Sequence, residues 1–201
     1  MTRNPLPLAF YTRSDVVQIA KDMLGKYLIT AVDGQITSGM IVETEAYAGA
    51  IDKASHAYGN RRTARTEVMF RRGGIAYIYL CYGIHSLFNV VTNVEGIPHA
   101  VLIRGIRAVE GIPLMLHRAG KLKVDSNFGI GPGKVSKILG LHYTYTGLAL
   151  IPGDSTNRAI QSWIEDRGQS IAPNTIMSTP RIGVDYAGEH AKWPYRFTLK
   201  Q

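Results

Sequence analysis

"KYLITAVDGQITSGMIVETEAY", residues 26–47, decides the fold class. Two runs rich in β-branched and aromatic residues meet at Asp33-Gly34. Both residue types tolerate positive φ, which the tight I′ turn of a β-hairpin demands at both central positions. The spacing therefore predicts two antiparallel strands. Downstream the pattern repeats. "GIAYIYLCY" (74–82) and "SLFNVVTNV" (86–94) are separated only by "GIH", which predicts a second hairpin. "HAVLIRGI" (99–106) reads as a further sheet segment, with tail strands expected at "GLALI" (147–151) and "YRFTL" (195–199). Ser14 is the expected cap of a helix with apolar Val16, Ile19, Ala20, Met23 and Leu24, stopped by Gly25. "LMLHRAG" and "KVSKILGL" also read as helices, the second ended by Gly140. Residues 48–73 have no clean period and read as a long loop. Strands arrive as adjacent hairpins, not alternating with helices, so the class is α+β with an antiparallel sheet.

The 201 residues, 45% hydrophobic, suit one globular domain spanning 1–201. No repeat, low-complexity stretch or linker divides them. Cys81 stands alone, which excludes an internal disulfide and a cysteine-based zinc site. The N-terminal "MTRNPLPLAFYTRSDVV" lacks the apolar core of a secretion signal, and no apolar run approaches a bilayer span. The expected location is the cytoplasm, nucleoid-associated in a prokaryote, or the nucleus in a eukaryote.

Net charge is +8, which favours a polyanionic partner. It is concentrated in two segments. "RRTARTEVMFRR" (61–72) carries five arginines and one glutamate, and residues 118–137 hold Arg118, Lys121, Lys123, Lys134 and Lys137 against Asp125. Arginine-rich loops suit phosphate oxygens. "GIGPGK" (129–134) is not a nucleotide-binding P-loop, because only three residues separate Gly129 from Gly133 and Val135 follows Lys134. It remains a tight turn feeding a helix N-terminus, either a plain cap or a phosphate contact.

Strand parity places Glu43, Glu45 and Tyr47 on one face, with Val42, Thr44 and Ala46 behind. Two carboxylates sharing a face demand a cation or hydrogen bonds if buried. Such a pair suits hydrolysis of a glycosidic bond, a metal site, or simply a charged edge strand. The scattered histidines give a metal site no support. Tyr77 and Tyr79 share a face, whereas Tyr82 has opposite parity beside Gly83 at a hairpin tip. An aromatic there has the character of a wedge that enters a base stack.

"IVETEAYAGAIDKASHAYG", "RRTARTEVMF", "YIYLCYGIHSLFNVVT", "AVLIRG", "GPGK" and "TPRIGVDYAGE" occur in this order, and together they resemble the alkyladenine (3-methyladenine) DNA glycosylase family. The resemblance runs from about residue 8 to the end. It implies a single mixed domain with a curved antiparallel sheet, flanking helices and a protruding β-hairpin. It implies a monofunctional enzyme of base excision repair that flips alkylated or deaminated purines out of double-stranded DNA and leaves an abasic site. Glu45 matches the general base and Arg104 the arginine that helps hold its water. Tyr47 and His56 match residues on one side of the flipped base, and Tyr79 the other. Asn89 matches the asparagine that disfavours normal guanine. Tyr82 matches the residue that fills the gap in the duplex, and Arg61, Thr63, Arg65, Met69 and Lys134 match DNA contacts. The resemblance finds no lysine in the base pocket; no cofactor and no metal are expected, and the chain is taken as a monomer. Glu43 receives no catalytic role from it. The sequence departs from the pattern at Ala50 and Ala64, at Arg107-Ala108 and at His190. A non-catalytic nucleic-acid module, or a carbohydrate hydrolase using Glu43 and Glu45, are the alternatives from the residues alone.

Overall fold

The structure is a computed structural model that describes residues 4–154 and 159–200. Two short helices, α1 (Leu8–Tyr11) and α2 (Val16–Asp22), precede the first hairpin, β1 (Tyr27–Val32) and β2 (Gln35–Tyr47). Asp33 and Gly34 have φ of 49° and 77°, the left-handed pair that the turn requires. The cap of α2 differs from expectation. Asp15, not Ser14, accepts the Gln18 N–H at 2.9 Å, because its carboxylate is the group three residues ahead of that donor.

The second hairpin is β3 (Ile75–Cys81) and β4 (His85–Thr92), followed by β5 (His99–Glu110). Helices α3 (Ile112–Ala119) and α4 (Pro132–Leu139) come next, then β6 (Ile160–Glu165), β7 (Ile176–Thr179) and β8 (Arg196–Leu199). The described strands form one antiparallel sheet in the order β3-β4-β5-β2-β1-β6. Along one edge of β2 the partner changes: β1 pairs its first half, and β8 pairs Glu43–Glu45. The sheet curls there, and the α+β antiparallel class read from the hairpins is the class observed.

Two tail segments differ from the sequence reading. "GLALI" makes a single bridge from Ala149 to Ile75, and it runs beside β3 with hydrogen bonds from Gly147 and Leu150. Gly147, at φ 88°, bends the chain out of an extended ladder. β6 and β7 were not expected. β6 is buried at five of its six positions, so it shows no polar alternation, and β7 has only four residues.

Parity sorts the sheet into two faces. Ala76 and Ile78 of β3, Phe88 and Val90 of β4, and Val101 and Ile103 of β5 join the main core with α2 and α4. Tyr77, Tyr79, Leu87, Asn89, Leu102 and Arg104 take the opposite face and line a cleft. Tyr77, Asn89, Leu102 and Glu45 are successive register partners across β3, β4, β5 and β2, so one transverse row carries aromatic, amide, apolar and carboxylate groups.

Candidate active site

The floor of the cleft is set by an irregularity in the β2–β5 ladder. Glu43 is opposite Gly105 and Thr44 opposite Ile103, so Arg104 is the extra residue of a bulge. Val42 is the matching extra residue on β2, so the register is restored at Thr44 and Ile103, and Arg104 keeps the cleft-facing parity of Leu102, on the face that carries Glu43 and Glu45. Arg104 Nε donates to Glu43 Oε1 at 3.1 Å and lies 3.4 Å from Glu45 Oε1. Arg196 Nε stands 3.8 Å from Glu43 Oε1. Gly105 fits closely beside it, since a Cβ there would lie 3.0 Å from the Glu43 Cβ.

Glu45 is fully buried, at 0% exposure, one layer beneath the residues that line the open volume. Two donors and a cation converge on it: the Tyr47 hydroxyl on Oε2 at 2.7 Å, the Ile182 N–H on Oε1 at 2.9 Å, and Arg104, whose Nε–H goes to Glu43 and whose charge lies 3.4 Å from Glu45 Oε1. Burial pushes its carboxyl above the usual carboxylate range. Arg104, the Ile182 N–H, the Tyr47 hydroxyl and Arg181 pull in the opposite direction. Burial, and then the Glu45 charge, push the Tyr47 phenol well above its ordinary value, so it stays a donor. Glu43 and Glu45 share one arginine nitrogen under the floor. They therefore do not flank a sugar as the two carboxylates of a carbohydrate hydrolase do.

Above this floor is a cavity of about 600 Å³. His56 and Tyr79 touch edge to face at 4.7 Å between ring centroids, and Tyr77 packs 5.5 Å from Tyr79. With two faces at stacking distance, a planar base would not fit between His56 and Tyr79 as they stand. The outer face of Tyr79 is covered by the Arg65 guanidinium at 4.7 Å. Burial, Arg65 and Arg61 lower the His56 pKa to about 4, so the ring is neutral near pH 7. The Tyr77 hydroxyl, itself held protonated by burial, shares a hydrogen bond of 2.9 Å with His56 Nδ1. Asn89 spends both amide hydrogens on the Tyr77 and Leu87 carbonyls, at 3.1 and 3.2 Å, which fixes its orientation on the floor.

Tyr82 stands at the tip of the second hairpin, 89% exposed and at φ 51°. Arg61, Thr63 and Arg65 are exposed on the adjoining loop. Thr63 and Thr66 exchange hydrogen bonds that shape this loop. Met69 differs from the others. It is only 2% exposed, packs with Val68, Phe70 and Tyr77, and lines the cleft from the wall of the aromatic cluster. Lys134 is exposed at the start of α4 and also lines the cleft, so the expectation that no lysine reaches the pocket needs correction: one stands at its mouth. A second cavity, about 650 Å³ between α2 and residues 166–178, has cations already engaged in the Arg13–Asp22 and Lys26–Asp166 pairs.

The sequence reading missed the groups that secure Glu45 from the far end of the chain. Ile182 and Arg181 lie in "TPRIGVDYAGE", but no pattern of periodicity or charge marks them as partners of β2. Arg181 pairs with Asp52, and both side chains are fully buried.

An aromatic cleft over a buried, multiply hydrogen-bonded carboxylate, with an exposed tyrosine at a hairpin tip and a basic rim, defines a protein suited to engage a planar group carried by a polyanion. Comparison with known proteins makes this specific. The family model described as Methylpurine-DNA glycosylase (MPG) matches residues 9–201, and the chain belongs to that family. A relative from Chlamydia abortus is 47% identical over 195 residues, covering 96% of this chain and 97% of the relative. One from Bacillus cereus is 43% identical over 199 residues, covering 96% and 95%. Each bears the name "Putative 3-methyladenine DNA glycosylase". The family is one of DNA-repair glycosylases for alkylated purines, hydrolases of N-glycosyl bonds whose substrate is DNA. Among the described residues no helix is long and apolar enough to cross a membrane.

Proposed function

We propose that the chain acts as a monomer on double-stranded DNA, everts an alkylated or deaminated purine into the cleft, and hydrolyses its N-glycosidic bond with water activated by Glu45. The observation that carries this reading is the convergence of Tyr47, Ile182 and Arg104 on Glu45. Two are hydrogen-bond donors and the third is a cation, so they match an ionised carboxylate, while burial keeps its pKa raised and the group basic. Oε1 faces both Ile182 and Arg104, whereas Oε2 has the Tyr47 hydroxyl alone and keeps a second lone pair for water. Because Glu45 is buried, the reading requires Arg104 to shift when substrate enters.

Alkylation of a ring nitrogen gives the purine positive charge and weakens its bond to deoxyribose. An aromatic face attracts such a cation by roughly 0.5–2 kcal/mol. Arg65 already demonstrates that a planar cation sits on Tyr79, and it leaves that face for a backbone phosphate when the base arrives. His56 and Tyr79 must separate from their 4.7 Å contact, after which Tyr47 and His56 bound the base opposite Tyr79, and Asn89 crowds the 2-amino group of guanine. Tyr82 fills the vacated stack, and eversion costs a few kcal/mol, least at a damaged pair. Departure of the purine leaves an oxocarbenium-like sugar beside the Glu45 charge. Arg61, Thr63, Arg65 and Lys134 face the duplex backbone.

The product is an abasic site in an intact strand. A lyase step needs a neutral amine at the sugar carbon, and Lys134 is exposed at the mouth with Nζ 3.4 Å from the Asn127 carbonyl. Incubation of a duplex bearing 3-methyladenine or 7-methylguanine, followed by alkali, tests the reading. Glu45→Gln should bind this duplex but release no base, and borohydride should trap no covalent adduct with the wild type. Base release by the Gln variant at the wild-type rate would overturn the assignment.

A further inference from the structure

Arg181 has no part in the chemistry described above, yet its guanidinium joins three separated stretches of chain. Nη2 donates to Asp52 Oδ1 at 2.8 Å and Nη1 to Oδ2. Nη1 also reaches the Ala46 carbonyl of β2 at 2.9 Å, and Nη2 the His190 carbonyl at 3.1 Å. Asp52 accepts in turn from the N–H groups of Ala48 and Ala54, at 3.1 and 3.0 Å, and so shapes the loop that carries His56. The guanidinium carbon lies 4.8 Å from the centre of the Tyr47 ring. The next residue, Ile182, delivers its N–H to Glu45. Only a planar fork of donors makes this set of contacts, and a lysine ammonium would not.

From this geometry we infer that the buried Arg181–Asp52 pair is a positioning element for hydrolysis, locking the Glu45 oxygens, the back of Tyr47 and the His56 loop into one frame. The inference rests on the reading of Glu45 as the base. Stability alone does not explain the pair. A buried ion pair is often no better than well-packed apolar side chains. Here, moreover, Arg181 Nε–H is buried with no acceptor among the described residues, which is a standing cost.

The pair also sets the field at Glu45. Facing that carboxylate are Glu43 and Tyr47 on its own strand, Arg104 on β5 and Arg196 on β8. Arg181 and Tyr186 face it from the C-terminal segment, with Asp52 behind Arg181. Removing Arg181 deletes a cation and leaves Asp52 unbalanced, which disfavours the Glu45 anion. Removing the Asp52 charge leaves Arg181 unbalanced, which favours it. The two changes therefore act on Glu45 with opposite sign.

The test is kcat/KM against pH for release of 3-methyladenine from a duplex by the full-length wild type, Arg181→Met, Asp52→Asn and Arg181→Lys, each checked for folding by circular dichroism. The acid limb should move up by roughly 0.5 pH unit or more in Arg181→Met and down by a similar amount in Asp52→Asn. In Arg181→Lys, which keeps charge without the fork, the limb should stay while kcat falls about tenfold or more at nearly constant KM. Limbs that move together, or stay fixed with wild-type kcat, would overturn the inference. If either neutralising variant fails to fold, Arg181→Lys decides alone: reduced kcat with an unmoved limb supports the frame, and wild-type kcat removes it. Activity in Glu45→Gln would sink the parent reading and this one together. An inactive Gln variant beside wild-type-like Arg181 and Asp52 variants would sink only this one.

Discussion

Replacing Tyr82 by alanine isolates the hairpin tip from the rest of the cleft. The side chain is 89% exposed, so nearly its whole ring is available to a duplex and almost none supports the fold. A tyrosine carries about 150–250 Å² of surface to bury, a gross gain of about 4–6 kcal/mol at ~25 cal/mol/Å². Unstacking the target nucleotide consumes a few kcal/mol of that. Base-on-aromatic stacking, judged by alanine substitution, is worth about 1–3 kcal/mol. The expected loss for Tyr82→Ala is therefore about 5- to 150-fold in affinity for a duplex carrying a lesion. Affinity for undamaged duplex should hold, because the phosphate contacts that provide it come from other side chains. Stability should change by less than about 0.5 kcal/mol. The left-handed backbone at φ 51° is equally strained for tyrosine and alanine, so the turn contributes no difference. Fluorescence anisotropy at fixed salt, with labelled lesion and undamaged duplexes, measures both constants. Equal affinity of the two proteins for the lesion duplex would remove the wedge. An equal loss on both duplexes would make Tyr82 a general contact and not a gap filler.

Lys134→Ala should weaken binding to damaged and undamaged duplexes alike and reduce the slope of log K against log salt by about 1, as titrations at several salt concentrations will show. Asn89→Ala should raise the release of unmodified guanine relative to 3-methyladenine, read by chromatography of free bases, because the amide fixed by the Tyr77 and Leu87 carbonyls is gone. His56 gives a pH signature in stability. Its native pKa of about 4 lies below the ordinary 6.5, so the unfolded chain takes up the proton first as pH falls. Stability should drop between about pH 6.5 and 4, and His56→Gln should flatten that drop by at most about 3 kcal/mol in urea titrations. His99 shares the direction, so the difference between the two proteins, not the wild-type slope, is the quantity to compare.

Much of the architecture was legible because it is local. Asp33-Gly34 specified its turn, and alternation along β3, β4 and β5 sorted Ala76, Ile78 and Phe88 to the core and Tyr77, Tyr79 and Asn89 to the cleft. Gly140 ended α4 where the sequence placed the stop. β6 was illegible because a strand covered on both faces carries no alternating signal, and the burial of Met69 was illegible because a residue within an arginine-rich loop shows its packing only when the loop folds over Tyr77.

By itself the sequence determined the hairpins, the shared face of Glu43, Glu45 and Tyr47, the exposed tip at Tyr82 and the clustering of positive charge, since each depends on residues a few positions apart. Only the tertiary structure decided how differently the two carboxylates are held. Glu45 receives the Ile182 N–H from 137 positions away, and Arg104 lies within ion-pair distance of both acids because β5 is paired beside β2. Burial and long-range hydrogen bonding are properties of the assembled sheet, and these distinguish a charged edge from a carboxylate held beneath a cleft.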